Sequence, residues 1–241
     1  NGVLKTHNAN GSTRDGIGIY ADNSDVSVTQ AVDMKYEAGT TGENVGIYSK
    51  GPGTGAAGKT VTILGNGSKI NIDGGTTGKG TALYSGAGEK IIADSTATTG
   101  GLQVTVTNGA AAIASDGTNS NVSAKFSNID YSGEGYALYT SNGGKIDVTG
   151  SKISLRGNAT GFERDVASAT SPITFKDITG SNAATITAYS NNVTIMNLRN
   201  ATTLNLSTLQ SDLSTLTGGV TVVAGANPAA GTFNKYKLAA V

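Results

Sequence analysis

The sequence predicts an all-β chain wound as a parallel β-helix with three short strands per coil. Two features carry that expectation: a four-residue word that recurs along the chain, and alternating apolar runs grouped in threes between Gly/Asn/Ser turns. The word reads "GIYA", "GIYS", "ALYS" and "ALYT", and each copy sets a branched aliphatic residue beside a tyrosine, at Ile19-Tyr20, Ile47-Tyr48, Leu83-Tyr84 and Leu138-Tyr139. Aligning on the aliphatic residue gives Ile19, Ile47, Leu83, Ile113, Leu138 and Phe162, with spacings of 28, 36, 30, 25 and 24. A period that varies within this range fits stacked coils with loop insertions. Antiparallel hairpins would also use short strands and glycine turns, but they give no reason for one word to return to one place in every layer.

The strands follow in chain order. Around the first copies, Ile17 and Ile19, then Val45 and Ile47, alternate as a strand requires. After "VGIYS" come "KTVTIL" and "KINID", which places Ile70 and Ile72 inward. Further on, Val104 and Val106 form the next pair, and from Leu138 the runs read "YALYT", "KIDVT" and "KISLR" with Gly143-Gly144 and Gly150 between them. On a strict two-residue period Tyr136 and Leu138 point in, while Ala137 and Tyr139 point out. Ile146 with Val148, and Ile153 with Leu155, complete the inward set. One coil alone has two bare edges and half a core, so stability requires neighbours above and below. At about 25–30 residues per coil and about 4.8 Å per level, eight or nine coils and a rod of roughly 40 Å are expected. Leu209, Leu213 and Leu216 sit at helical spacing after Ser207 and before Gly218-Gly219, which predicts a short helix over 207–217. Strands resume at "VTVVAG" and "TFNKYKLAAV". The chain therefore reads as one β-helix segment over 1–241, less regular over 201–241, and as a piece of a longer repeat protein.

Composition narrows the function classes. Among 241 residues the acidic and basic counts are equal, 17 and 17, so there is no electrostatic case for nucleic acid or an anionic membrane. Thirty-five glycines without a three-residue period, three prolines and no tryptophan describe a turn-rich β protein. Apolar residues make up 37% and alternate, which disfavours disorder. Cysteine is absent, so disulfides, thiolate metal sites and cysteine catalysis are excluded. No apolar run approaches the roughly 20 residues that cross a bilayer as a helix.

These irregular coils, with the "GIYA/GIYS/ALYS" words, the "NGSKINI" and "NGGKIDVTGSKISL" strands and no cysteine, resemble the passenger region of a bacterial autotransporter, particularly the very large fusobacterial adhesins. The resemblance covers about residues 14 to 200. It implies a right-handed β-helix displayed at the bacterial cell surface, anchored by a C-terminal outer-membrane barrel outside this sequence. It further implies adhesion to a protein or glycan on host cells or other bacteria, with this segment a monomer.

Other chemistry is weaker. A polysaccharide-cleaving β-helix needs carboxylates projecting from adjacent coils, about 5–9.5 Å apart for glycoside hydrolysis. The outward centres of the middle strand read Ser27, Thr62, Gln103, Ser123 and Asp147, where carboxylates do not stack. The "FERD" run, Phe162 to Asp165, reads as a solvated ion-pair turn. Asp22 and Asp25 in "ADNSD" read as Asx turn residues bonding local amides. His7 is the lone histidine, which disfavours a Ser-His-Asp or His-rich metal site. "GPGTGAAGKT" meets the phosphate-loop spacing from Gly53 to Thr60, but a strand pattern follows where a helix is needed. Its extra residues, Gly51 to Gly58, are a candidate functional loop. No catalytic residue, cofactor or metal is expected.

The candidate binding residues are Tyr20, Tyr48, Tyr84 and Tyr139. Ala114 takes the fourth place between them, and Gly18, Gly46, Ala82, Ala112 and Ala137 are expected to form a smooth outward strip alongside. Stacked rings can stabilise a sheet, in which case the segment is a structural stalk with no ligand of its own; rings beside a smooth surface can also dock a sugar or a protein.

Overall fold

The computed structural model describes residues 16–37, 43–53, 57–97, 100–165, 172–179, 181–199, 221–224 and 234–238. Within them the chain is a parallel β-helix of three sheets. The first and longest sheet contains β1 (Gly16–Asp22), β4 (Asn44–Lys50), β7 (Gly80–Gly86), β10 (Ala111–Asp116), β13 (Tyr136–Ser141), β16 (Thr160–Asp165), β19 (Thr194–Arg199) and β21 (Asn234–Leu238). The second contains β2 (Val26–Val28), β5 (Thr60–Ile63), β8 (Lys90–Ile92), β11 (Asn121–Ser123), β14 (Lys145–Asp147) and β17 (Ile173–Thr174). The third contains β3 (Asp33–Tyr36), β6 (Lys69–Asp73), β9 (Gln103–Thr107), β12 (Asn128–Ser132), β15 (Lys152–Arg156), β18 (Thr185–Ala188) and β20 (Thr221–Ala224). Eight strands in the longest sheet put the stack at about 34 Å from first level to last.

The register reproduces the word alignment residue for residue. Ile19 pairs with Ile47, Ile47 with Leu83, Leu83 with Ile113, Ile113 with Leu138, and Leu138 with Phe162. The column continues through Met196 to Tyr236, where the word has changed beyond recognition in the sequence. Val61, Ile91, Val122, Ile146 and Ile173 line the second wall, and Ile70, Val104, Ile129, Ile153 and Ile186 the third. All belong to one buried apolar cluster. Each such side chain contributes on the order of 1.5–3 kcal/mol of burial, offset by the entropy of ordering the chain.

Turn backbone inside the wall is satisfied by hydroxyls, which accounts for much of the serine content. Ser151 Oγ donates to Ala124 O and accepts from Ser127 N, each at 3.0 Å, and Ser120 Oγ accepts from Gly88 N at 2.8 Å. Both serines are buried and link different levels.

Several expectations require correction or placement. Gln103 lies in the third sheet; the second-sheet strand of that coil is β8, so the outward column there runs Ser27, Thr62, Ile92, Ser123, Asp147, Thr174. "KII" is too short to announce itself beside the longer "QVTVT" run. The smooth outward strip is also absent. Ala82, Ala112 and Ala137 belong to the buried core, and a Cβ on Gly46 would point inward, 2.6 Å from Ile70 Cγ2 and 2.5 Å from Ala82 O. The strand bends there, so two consecutive residues face the core: the register passes from Ile17↔Val45 to Ile19↔Ile47 without pairing the glycines between. A residue of the preceding outer position, such as Tyr136, consequently faces out, not in; its ring lies 5.3 Å from that of Tyr139. The helix expected over 207–217 and His7 lie outside the described residues.

Candidate functional site

The outer face of the first sheet carries the tyrosines. Tyr20, Tyr48 and Tyr84 are paired in register on β1, β4 and β7. Their rings form a ladder with centroids 5.4 Å apart for Tyr20 and Tyr48 and 5.0 Å for Tyr48 and Tyr84, the first pair tilted and the second edge to face. Both separations fall in the favourable range for aromatic pairs, about 4.5–7 Å. Tyr20 is 51% exposed, and Tyr48 and Tyr84 are half-buried.

Burial shifts the phenols. Desolvation raises Tyr48, and it raises Tyr84 to about 12 with the help of the negative charge of Asp116. Both hydroxyls therefore stay protonated at physiological pH and remain donors. At its other end, Tyr20 Oη lies 3.4 Å from Asp22 Oδ2.

Tyr139 does not join this ladder. Ala114 separates it from Tyr84 in the register, and it packs against Tyr136 instead. Beyond it, the amide of Asn197 donates to Tyr136 Oη at 3.3 Å and to Glu163 Oε2 at 3.4 Å. The four candidate tyrosines thus divide into a contiguous triad and a separate polar-aromatic group. Glu163 of "FERD" belongs to that group; Arg164 and Asp165 lie on β16, and their side chains fall outside the described set.

Other charged residues hold levels together. Asp25 is not a local turn residue: its carboxylate accepts from Thr60 N at 2.9 Å and pairs with Lys59 Nζ at 3.3 Å, one level away. The Thr60 hydrogen bond, aided by Lys59, lowers its pKa against a small desolvation. Its sequence neighbours suggested an Asx turn because the partner lies 35 residues on. Residues 57–59 lead into β5 where a phosphate loop would open a helix, while 54–56 of the candidate loop lie outside the described residues; the buried carboxylate of Glu89 receives Lys59 N at 2.9 Å and Ser49 Oγ at 3.1 Å. A carboxylate already fills the place where an anion would meet that amide.

Sequence reasoning overlooked the grouping of Asp94, Lys125 and Asp147. Lys125 Nζ lies 3.9 Å from Asp94 Oδ2 and 3.4 Å from Asp147 Oδ2, so carboxylates from neighbouring levels do converge on one ammonium. Their other oxygens are engaged: Asp94 Oδ1 by Ser123 Oγ and Lys125 N, Asp147 Oδ1 by Thr149 N and Oγ1. This is a partly exposed ion-pair network that ties levels together. The residues share no motif, because each comes from a different coil.

A second ordered feature projects from the wall after β17. Desolvation opposes ionisation of Asp177, but hydrogen bonds from Asn182 N, Asn182 Nδ2, Ser181 and Thr179 outweigh it and hold its pKa at about 2. The loop it organises presents Ile178 fully to solvent. No group of three or more His, Cys, Asp or Glu is placed to hold a metal ion among the described residues. No helix among them is long and apolar enough to cross a membrane.

No family model, no curated protein and no solved structure matches this chain.

Proposed function

We propose that this chain is an adhesive β-helix segment displayed on a bacterial cell surface, which contacts a protein or glycan of host or other bacterial cells through the outer face of its longest sheet. The observation that carries this reading is the Tyr20-Tyr48-Tyr84 ladder, three rings in mutual contact on successive levels of a rigid wall. Aromatic rings with protonated hydroxyls combine apolar contact area with a hydrogen-bond donor at low entropic cost, which suits weak recognition repeated along a surface. Several weak contacts along one rod strengthen one another by raising the effective concentration of the next. Autotransporter-type display follows from the sequence resemblance and remains part of the same proposal.

The test compares Tyr20→Ala with the double variant Tyr48→Ala/Tyr84→Ala in whole-cell and glycan-array binding, with Tm recorded for each. Tyr20 is half exposed, so its removal should weaken binding while leaving Tm within about 2 °C. The double variant also removes part of a packed face, with each cross-strand pair worth roughly 0.2–1 kcal/mol, so a lowered Tm is expected along with lost binding. Full binding by both variants would leave the ladder a stalk's reinforcement and nothing more.

A further inference from the structure

A groove runs along the corner where the third sheet turns into the first. It encloses about 1000 Å³ and crosses the turns that follow β6, β9, β12 and β15. Four consecutive levels make it about 14 Å long. Its polar lining comes from Asp73, Thr76, Asn108, Ser132, Glu134 and Asn158. Gly133 and Gly157 keep the wall low, and both adopt left-handed φ values, 128° and 65°. A side chain at either position would carry backbone strain.

The floor is built from inside. Tyr131, fully buried among the aliphatic column of the third sheet, donates its hydroxyl to Gly109 O and accepts from Gly135 N at 2.7 Å. Both glycines line the groove, so a core residue fixes two of its turns relative to each other. Desolvation raises the Tyr131 hydroxyl to about 12, and it remains a donor throughout the physiological range. A cleft near the upper end of ligand-sized volumes, roughly 300–1,000 Å³, is thereby held open before any ligand arrives.

The lining selects a chemical class. Asp73 and Glu134 are carboxylates, and among the described residues no lysine or arginine lines the groove. Asp73 uses Oδ1 to cap Gly75 N at 2.9 Å, and Glu134 Oε1 lies 3.4 Å from Asn158 Nδ2, so each carboxylate keeps a second oxygen as acceptor. A second trough of about 530 Å³ joins at Asp73, lined by Asn71, Thr105 and Thr107; its one lysine, Lys35, is paired with Glu37 at 3.3 Å. Tyr36 and Ile72 also line that trough, whereas the main groove is rich in acceptors and small amides, has no aromatic ring among its described lining residues, and is negative. It therefore repels an acidic chain and offers acceptors to a donor-rich one. We infer that this corner groove is a binding site for a short neutral saccharide, separate from the tyrosine ladder and independent of it.

The experiment uses amide NMR of the intact chain titrated with maltotriose, triacetylchitotriose and trigalacturonate. At least one of the two neutral trisaccharides should shift the amides of Asn108, Gly133 and Gly135 and saturate at about 1 mM or tighter, while trigalacturonate leaves them unmoved. Ser132→Phe, an outward position that would fill the groove, should weaken that binding at least about tenfold with the strand pairing intact. Asp73→Asn/Glu134→Gln should admit trigalacturonate. The inference is overturned if neither neutral sugar shifts those amides, if trigalacturonate binds the unaltered chain equally well, or if Ser132→Phe binds undiminished. Shifts confined to the amides of β1, β4 and β7 around the tyrosine ladder would place the sugar there and equally overturn the groove.

Discussion

Gly46→Val is expected to destabilise the chain by about 3 kcal/mol, lowering Tm by roughly 6–12 °C in a calorimetric scan. The reason is geometric. A Cβ at Gly46 would sit 2.5 Å from the carbonyl oxygen of Ala82 on the next level and 2.6 Å from Ile70 Cγ2, and the first of these is backbone that cannot rotate away. Valine adds two further methyl groups to that conflict. The neighbouring Val45, buried but outside the core cluster, provides the contrast: Val45→Thr copies Thr81, its register partner on the next level, and should cost less than Gly46→Val. Were the Gly18-Gly46-Ala82 column solvent-facing, valine at 46 would be harmless or mildly favourable in a strand. The pair of measurements thus tests the bend directly.

Tyr131→Phe is expected to cost about 1–3 kcal/mol, although it removes a single oxygen. Gly109 O and Gly135 N would both lose their partner inside the wall, and phenylalanine offers nothing in exchange. Tyr131→Ala adds a cavity and should cost about 3–5 kcal/mol, the range for deleting a buried aromatic ring. Urea unfolding checks both values. Hydrogen exchange distinguishes the phenylalanine variant further, since protection should fall first at Gly135 and its neighbours in the corner turns. An unchanged exchange pattern there would mean that the hydroxyl does not set the groove.

Parallel stacking explains why so much of the fold is legible in the sequence. In-register levels place the same demand on residues one coil apart, so Ile19, Ile47, Leu83, Ile113, Leu138 and Phe162 repeat in kind because they occupy one column. The period-two rule fails at the bend, where two residues in succession face inward. A signal for that was present in the chain itself: the position before the aliphatic residue is glycine or alanine at 18, 46, 82, 112 and 137, whereas an outward place would tolerate larger side chains. Strand β8 escaped because three residues carry too little alternation to stand out.

The sites are less legible than the fold. Tyr20, Tyr48 and Tyr84 share a recurring word, and they do meet. Tyr139 shares the word but not the ladder, because the register interposes Ala114. The corner groove draws two to four residues from each of four turns, and the Lys125 network draws on three coils. Such groupings leave no local motif, since their members become neighbours only when the levels close upon one another.

Pairwise cysteine cross-linking tests the stacking most directly, because the chain contains no cysteine of its own. Asn71 and Thr105 are in register on β6 and β9, and Asp130 follows Thr105 on β12. Adjacent levels put Cα atoms about 4.8 Å apart, inside the disulfide range of about 4.4–6.8 Å, while a skipped level puts them near 10 Å. Asn71→Cys/Thr105→Cys should therefore close a bond under mild oxidation without loss of stability, and Asn71→Cys/Asp130→Cys should not. Failure of the first pair, with ready bonding in the second, would contradict the parallel stack.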